Sequence, residues 1–150
     1  MNIEELVSEV ESEIAQIKKE NLQQKNEIEE ITLNFERKTD SLLSEIISII
    51  DAYEKAEDKV KELGLEEDEK VQKAMKRLLQ PKKVALSVLS KYGVSQIDLL
   101  GKILNEDLCT VVETEPDNEK ENDTVISIEK NGYVRGERLI RRAEVIVVKN

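Results

Sequence analysis

The chain has 150 residues, of which 37% are charged and 3% aromatic, and it carries a formal net charge of -10. A compact domain of this length normally anchors its core on several rings that bury about 150 to 250 Å² each, so the composition favours a small domain joined to a long helix. The acidic charge argues against nonspecific binding to nucleic acid or to anionic membranes, and the absence of histidine removes the usual neutral-pH base and the commonest zinc ligand. We therefore expect no enzyme, no cofactor and no metal site.

The N-terminal segment is acidic where a signal or transit peptide would be basic. No apolar run approaches the roughly 18 residues of a membrane span. The sequence thus predicts a soluble, cytoplasmic protein.

The first 35 residues show apolar residues at alternating steps of three and four, which predicts a helix with a coiled-coil seam. Two consecutive layers of the seam are polar, at Asn21 and Gln24, and these layers cost stability while they fix the register. We interpret the seam as the dimerisation face of a parallel homodimer. The seam does not specify which helix packs against it. The alternative is therefore a single amphipathic helix that folds back on its own chain. The predicted dimerisation residues are Ile3, Val7, Val10, Ile14, Ile17, Asn21, Gln24, Ile28, Ile31 and Phe35.

A wider apolar stripe follows from Leu42 to Tyr53 and is typical of a helix in a bundle. Gly64 fits a left-handed helix cap, and the carboxylates after it suit the first turn of a second helix, so a helical hairpin is predicted. Pro81 lacks a backbone N–H, and we expect a kink or break near Gln80.

After Gly93, β-branched runs predict strands at 108–114, 124–130 and 143–149, with a turn at Asn131-Gly132. The fold class is α+β, with domains at 1–40 (long dimerisation helix), 41–93 (helical hairpin, a four-helix bundle in the dimer) and 94–150 (C-terminal β-domain). The single cysteine, Cys109, excludes an intramolecular disulfide and indicates a reducing compartment. Its apolar neighbours predict a small buried side chain rather than a reactive thiol.

The C-terminal segment, residues 131–150, is basic, unlike the rest of the chain. Its five cations against two carboxylates give 5 minus 2, a local charge of +3. Arginines pair bidentately with carboxylates and recur in binding hot spots, so this basic segment indicates an acidic partner. Protection of an edge strand by solvated charges is the alternative. The charged residues are Arg135, Glu137, Arg138, Arg141, Arg142, Glu144 and Lys149.

Several motifs resemble those of a known family. Gly132-Tyr133 followed by the segment 138–147, RLIRRAEVIV, is similar to the closing signature of the GrpE family, the nucleotide exchange factors of DnaK-type heat-shock chaperones. The segments 49–56 (IIDAYEKA), 91–94 (KYGV) and 123–125 (DTV) resemble further family motifs in the same order. The resemblance covers roughly residues 20–150.

The resemblance implies a parallel homodimer with paired long helices, a four-helix bundle and a β-domain on each side. One β-domain would dock on the nucleotide-binding domain of a DnaK-type chaperone and hold its cleft open, which speeds ADP release. Carried onto this sequence, the chaperone-binding residues are Arg138 and Arg141 as charged anchors, Leu104 as an apolar contact and Val147 as strand packing near the interface. Arg141 could instead be a structural clamp. Secondary chaperone contacts from Asp51, Glu54 and Lys55, and partial melting of the paired helices on heating, are also implied.

Departures from the family pattern fall in the segment 101–112, at Glu106, Cys109 and Thr110, and at Arg142, which replaces a proline. They support a competing interpretation, a coiled-coil dimeric adaptor whose β-domains bind another acidic protein without nucleotide exchange activity.

Overall fold

The structure is a computed structural model that describes residues 2–150. Helix α1 spans Ile3–Glu62, α2 spans Glu69–Leu78 and α3 spans Gln80–Lys91. Six strands follow them. They are β1 (Val94–Gln96), β2 (Cys109–Glu115), β3 (Val125–Lys130), β4 (Tyr133–Arg135), β5 (Arg138–Arg141) and β6 (Ala143–Val148).

The predicted α+β class is confirmed, with a long N-terminal helix, a hairpin-like helical segment and a C-terminal β-domain. The long helix and the first arm of the hairpin form one uninterrupted helix, α1. Contacts divide the chain into two compact units that meet between Ser41 and Leu42.

The first unit, described over residues 2–41, is helical from Ile3 onward, and none of its described residues is buried. Its apolar side chains follow the predicted seam and are exposed, from 46% at Ile14 to 78% at Ile3. The periodic pattern therefore folds as a helix whose apolar face has no cover from this unit.

The helix boundaries of the second unit follow local chemistry. Gly64 has a φ of 66°, and the amides of Gly64 and Leu65 close the end of α1 on the carbonyls of Lys61 and Val60, so the predicted glycine cap is confirmed. Asp68 caps α2, because its Oδ1 accepts hydrogen bonds from the amides of Lys70 and Val71 at 2.8 and 3.0 Å.

The break predicted near Gln80 is also confirmed. Leu79 separates α2 from α3, and Pro81 lies in the first turn of α3, where its missing N–H costs nothing. Gly93, with a φ of 76°, follows the end of α3 as predicted.

The β-domain contains two three-stranded sheets. One has the order β1-β4-β5 and is antiparallel throughout. The other has the order β2-β6-β3, in which β6 runs parallel to β2 and antiparallel to β3. The three strands predicted from β-branched runs are β2, β3 and β6, and all lie within one residue of their predicted bounds.

The predicted turn at Asn131-Gly132 is not a hairpin turn. This dipeptide joins β3 to β4, which belong to different sheets, and the ribbon reverses instead at Gly136-Glu137. Gly136 has a φ of 60°, a conformation that a glycine adopts at little cost. Arg142 is the single residue between β5 and β6 and carries the chain back to the other sheet.

Each sheet has its own apolar cluster. The first cluster packs the β1-β4-β5 sheet against the helices and consists of Leu43, Ile47, Ile50, Leu89, Val94 and Tyr133. The second belongs to the β2-β6-β3 sheet and consists of Leu99, Cys109, Val125, Ala143, Val145 and Val147. The second unit therefore has an apolar core of its own. Burying one Val, Leu or Ile side chain in it contributes about 1.5 to 3 kcal/mol.

Candidate protein-binding surface of the β-domain

The basic ribbon is the hairpin of β4 and β5. Arg135 and Arg138 face each other in its register on either side of the Gly136-Glu137 turn, which places two arginines at the tip. The amide of Gly136 donates to the carbonyl of Gly93 at 3.3 Å, and the Arg135 Nε donates to the carbonyl of Tyr92 at the same distance. The tip is thereby held against the end of α3.

Arg138 is exposed at the start of β5. A guanidinium group here presents several donors in a planar fork, which suits a carboxylate on a partner protein. Leu139, the next residue, is 36% exposed and adds apolar surface beside it.

Arg141, at the other end of the same strand, is engaged within the chain. Its Nη1 and Nη2 donate to the two carboxylate oxygens of Asp51 on α1 at 2.5 and 2.8 Å. Its Nε and Nη2 also donate to the carbonyl of Asn131 at 3.1 and 2.6 Å, and the guanidinium carbon lies 5.3 Å from the centre of the Tyr133 ring. Arg141 thus has the contacts of the structural clamp that the sequence left as an alternative, and the clamp reaches beyond the β-domain to a helix.

Val147 belongs to the second cluster, and Leu104 packs against that cluster. Leu104 is half-buried, and its amide donates to the carbonyl of Asp123 at 2.8 Å. Val147 is 2% exposed and lies in the central strand of its sheet, where it pairs with Val125 and Thr114. Of the four candidate residues, Arg138 and Arg141 lie on β5. Val147 is buried in the core of the other sheet, and Leu104 packs against that core.

The segment that departs from the family pattern keeps an ordered backbone. The amide of Gly101 donates to the carbonyl of Val125, and the amide of Val125 donates to the carbonyl of Lys102, both at 2.8 Å. Asn105 then closes a turn, because its carbonyl accepts from the amides of Leu108 and Cys109 at 3.0 Å. Main-chain hydrogen bonds therefore hold the start of this segment beside β3.

Cys109 is buried, as predicted, and its thiol donates to the carbonyl of Asn105 at 3.1 Å. Among residues 2–150, no group of three or more His, Cys, Asp or Glu side chains could hold a metal ion. The same residues include no helix with the length and hydropathy needed to span a membrane.

Sequence reasoning missed a polar network on α1. It treated Asp51 and Glu54 as secondary chaperone contacts or solvated helix positions, yet both are largely buried and bonded to the β-domain. Lys55, by contrast, is exposed. The available signal was the spacing of Asp51 and Glu54 by one helical turn, which placed them on one face but did not name their partners, Arg141 and Asn131.

The fold and this surface define the class of protein: an α+β chain in which a long helix and a helical hairpin carry a small β-domain with a basic ribbon. The family model described as GrpE matches residues 1–149. The chain therefore belongs to the GrpE family of co-chaperones.

Individual relatives agree with this assignment. The chain is similar to "Protein GrpE" of Francisella tularensis subsp. holarctica strain OSU18, with 28% identity over 96% of this chain and 75% of the relative. "Protein GrpE" of Francisella tularensis subsp. novicida strain U112 is 27% identical over the same shares of the two chains. The likeness thus extends through the helices and the β-domain alike.

Proposed function

We propose that this protein is a nucleotide exchange factor that binds the nucleotide-binding domain of a DnaK-type chaperone and accelerates ADP release. The observation that carries the proposal is the match to the GrpE family over residues 1–149, which includes the β-domain and its ribbon. The site of action is the cytoplasm, and the working form is a homodimer paired along the seam of α1.

The exchange reaction needs no covalent chemistry from this chain. A protein that binds the open form of the chaperone more tightly than the ADP-closed form shifts the population toward the open form. Linkage makes the effect reciprocal, so the protein weakens ADP binding by the factor by which ADP weakens its own binding. Shape and charge are sufficient for this function.

The candidate residues take different parts in the proposed complex. Arg138 is exposed at the ribbon and serves as the charged anchor for an acidic surface of the chaperone. Leu104, half-buried at the edge of the second cluster, supplies apolar contact. Val147 is buried, so it supports the surface from beneath, and Arg141 shapes the ribbon through its bonds to Asp51 and Asn131.

The test is stopped-flow release of a fluorescent ADP analogue from a DnaK-type chaperone of the same cell. We expect the wild-type protein to accelerate release. Arg138→Ala should raise the half-saturating concentration about tenfold or more, because a charged anchor in an interface contributes about 2 kcal/mol. Arg77→Ala, which removes an exposed arginine from α2, is the matched control and should behave as wild type.

The adaptor interpretation remains the second candidate, favoured by the departures at Glu106, Cys109, Thr110 and Arg142. It predicts binding of an acidic protein without any change in ADP release. An unchanged release rate at saturating protein, with self-association demonstrated, would reject exchange activity toward that chaperone and favour the adaptor.

A further inference from the structure

A closed ring of polar contacts joins the β-domain to the second half of α1. Asp51 accepts both bonds of the Arg141 fork, and Arg141 also donates to the carbonyl of Asn131. The Asn131 Nδ2 in turn donates to the Glu54 carboxylate, 3.1 Å from each oxygen. Asp51 and Glu54 are one turn apart on α1, so the ring returns to the helix from which it began.

A third element is tied to the same face of α1. Lys82, in the first turn of α3, forms an ion pair with Glu57 and lies 3.8 Å from Glu54. Its side chain is 18% exposed, and that of Glu54 is 22% exposed. Glu54 of α1 therefore contacts both the β-domain and α3.

The ring lies beside the apolar contact between the first sheet and α1. Tyr133, which pairs with Arg141 across the ribbon, is 1% exposed and packs with Ile47 and Ile50. The attraction between apolar side chains is non-directional. A bidentate arginine–carboxylate pair has a defined direction, so it adds an orientational restraint on β5 to the apolar packing.

Orientation of β5 matters because Arg138 and Arg141 are the two ends of this four-residue strand. Arg138 is placed relative to α1 through the residues between them. The contacts at the Arg141 end therefore affect how rigidly Arg138 is held relative to α1.

We propose that Asp51 and Glu54 are positioning residues that stiffen the joint between α1 and the β-domain, so that binding energy at the ribbon is used to hold the chaperone cleft open. This inference rests on the proposed exchange function. A loose joint would let the β-domain follow the chaperone lobe in both its open and closed positions. Binding would then persist while its coupling to nucleotide release declined.

The experiment compares Asp51→Asn with wild type in the ADP-release assay over a full range of protein concentration. The asparagine keeps the size of the side chain and removes the charge that holds the fork. We expect a maximal release rate about fivefold lower, since part of the coupling between the two sites is lost. The half-saturating concentration should stay within about twofold, since the binding surface itself is intact.

Asp58→Asn is the matched control, because Asp58 lies two turns further along α1 and its side chain is 69% exposed. It makes the same change of charge on the same helix and should leave both parameters at the wild-type values. Hydrogen exchange of the β4 and β5 amides supplies a second readout. Exchange should become faster in Asp51→Asn and not in Asp58→Asn, while circular dichroism verifies that both variants are folded.

Arg141→Lys and the double variant with Asp51→Asn complete a cycle. If the two groups act as one joint, the double variant should lower the maximal rate no further than either single variant does. A folded Asp51→Asn protein with the wild-type maximal rate, or additive losses in the double variant, would overturn the inference while leaving the exchange function intact. A wild-type protein that does not accelerate release would instead overturn the exchange function, and this inference with it.

Discussion

Two parts of the single helix α1, residues 3–41 and residues 42–62, differ in how far their apolar side chains are exposed to water. In residues 3–41 the apolar seam is exposed, with no buried side chain, whereas residues 42–62 bury Leu43, Ile47 and Ile50 to 2% exposure or less. The apolar face of residues 42–62 is covered by α3 and the first sheet of its own chain. An amphipathic pattern therefore fixes which face of a helix needs cover, but the rest of the chain decides whether the cover is internal.

The first prediction tests whether a second copy of the chain covers the exposed seam of residues 3–41. Ile14→Asp places a carboxylate in the middle of the seam, and burying an unpaired charge there costs several kcal/mol. We expect the dissociation constant for self-association, measured by sedimentation equilibrium, to rise about 100-fold or more.

Ser12→Asp is the control for this change, since Ser12 lies on the opposite face of the same helical turns. It adds the same charge and should leave self-association unchanged. Equal effects of the two substitutions, or a monomeric wild-type protein with a fully helical N-terminal half, would contradict pairing along the seam.

The second prediction concerns the unit that covers its own core. At Gly132 an added Cβ would lie 2.6 Å from the Ala143 nitrogen and 3.0 Å from an Ile97 methyl carbon, so Gly132→Ala forces backbone atoms apart. We expect a loss of about 3 kcal/mol in the free energy of unfolding. Gly136→Ala, where nothing lies within 4 Å but φ is 60°, should cost about 1 kcal/mol.

Urea unfolding followed by tyrosine fluorescence measures both changes in the right unit, because all three tyrosines lie within residues 42–150 and the chain has no tryptophan. Self-association through the first unit should be unaffected. Equal losses at the two glycines would show that the close approach of Gly132 to Ala143 does not limit stability.

The smallest effect is expected at Tyr133. Burial raises the pKa of its phenol, with further contributions from the Glu54 and Asp51 carboxylates, while the Gln96 hydrogen bond and Arg141 oppose the shift. A pKa that is higher in the folded state means that the stabilisation is present below the unfolded pKa of about 10 and is lost as the pH rises through the folded value.

Tyr133→Phe isolates this contribution. At pH 8 the variant should lose about 1 kcal/mol, because the Gln96 side chain no longer has the phenol oxygen as its acceptor at 2.9 Å. Between pH 9 and pH 11 the wild type should lose more stability than the variant, as measured by urea unfolding with circular dichroism. Parallel losses in the two proteins would mean that Tyr133 ionises equally in the folded and unfolded states.

Much of the local structure could be predicted because it depends on neighbours in sequence. Gly64 ends α1, Pro81 begins a new helix, and the β-branched runs form β2, β3 and β6. The short strands β1, β4 and β5 were not delimited in advance, because three or four residues give too little alternation to read.

The candidate site was predictable in part. The charge imbalance of residues 131–150 drew attention to the C-terminal arginines, and the family resemblance singled out Arg138, which is exposed at β5. For Arg141 the sequence left two roles open, a second charged anchor or a structural clamp. Their roles separate only through Asp51, a residue 90 positions away in the chain.

The sequence by itself determined the helical seam, the helix ends and the strands with long β-branched runs, because periodicity, caps and propensity act over a few residues. Only the tertiary structure decided that β6 lies between β2 and β3, that the chain changes sheets at Asn131-Gly132 and again at Arg142, and that Asp51 and Glu54 hold the β-domain. These features join residues far apart in the chain, and their partners are selected by packing and charge in three dimensions, which no local pattern specifies.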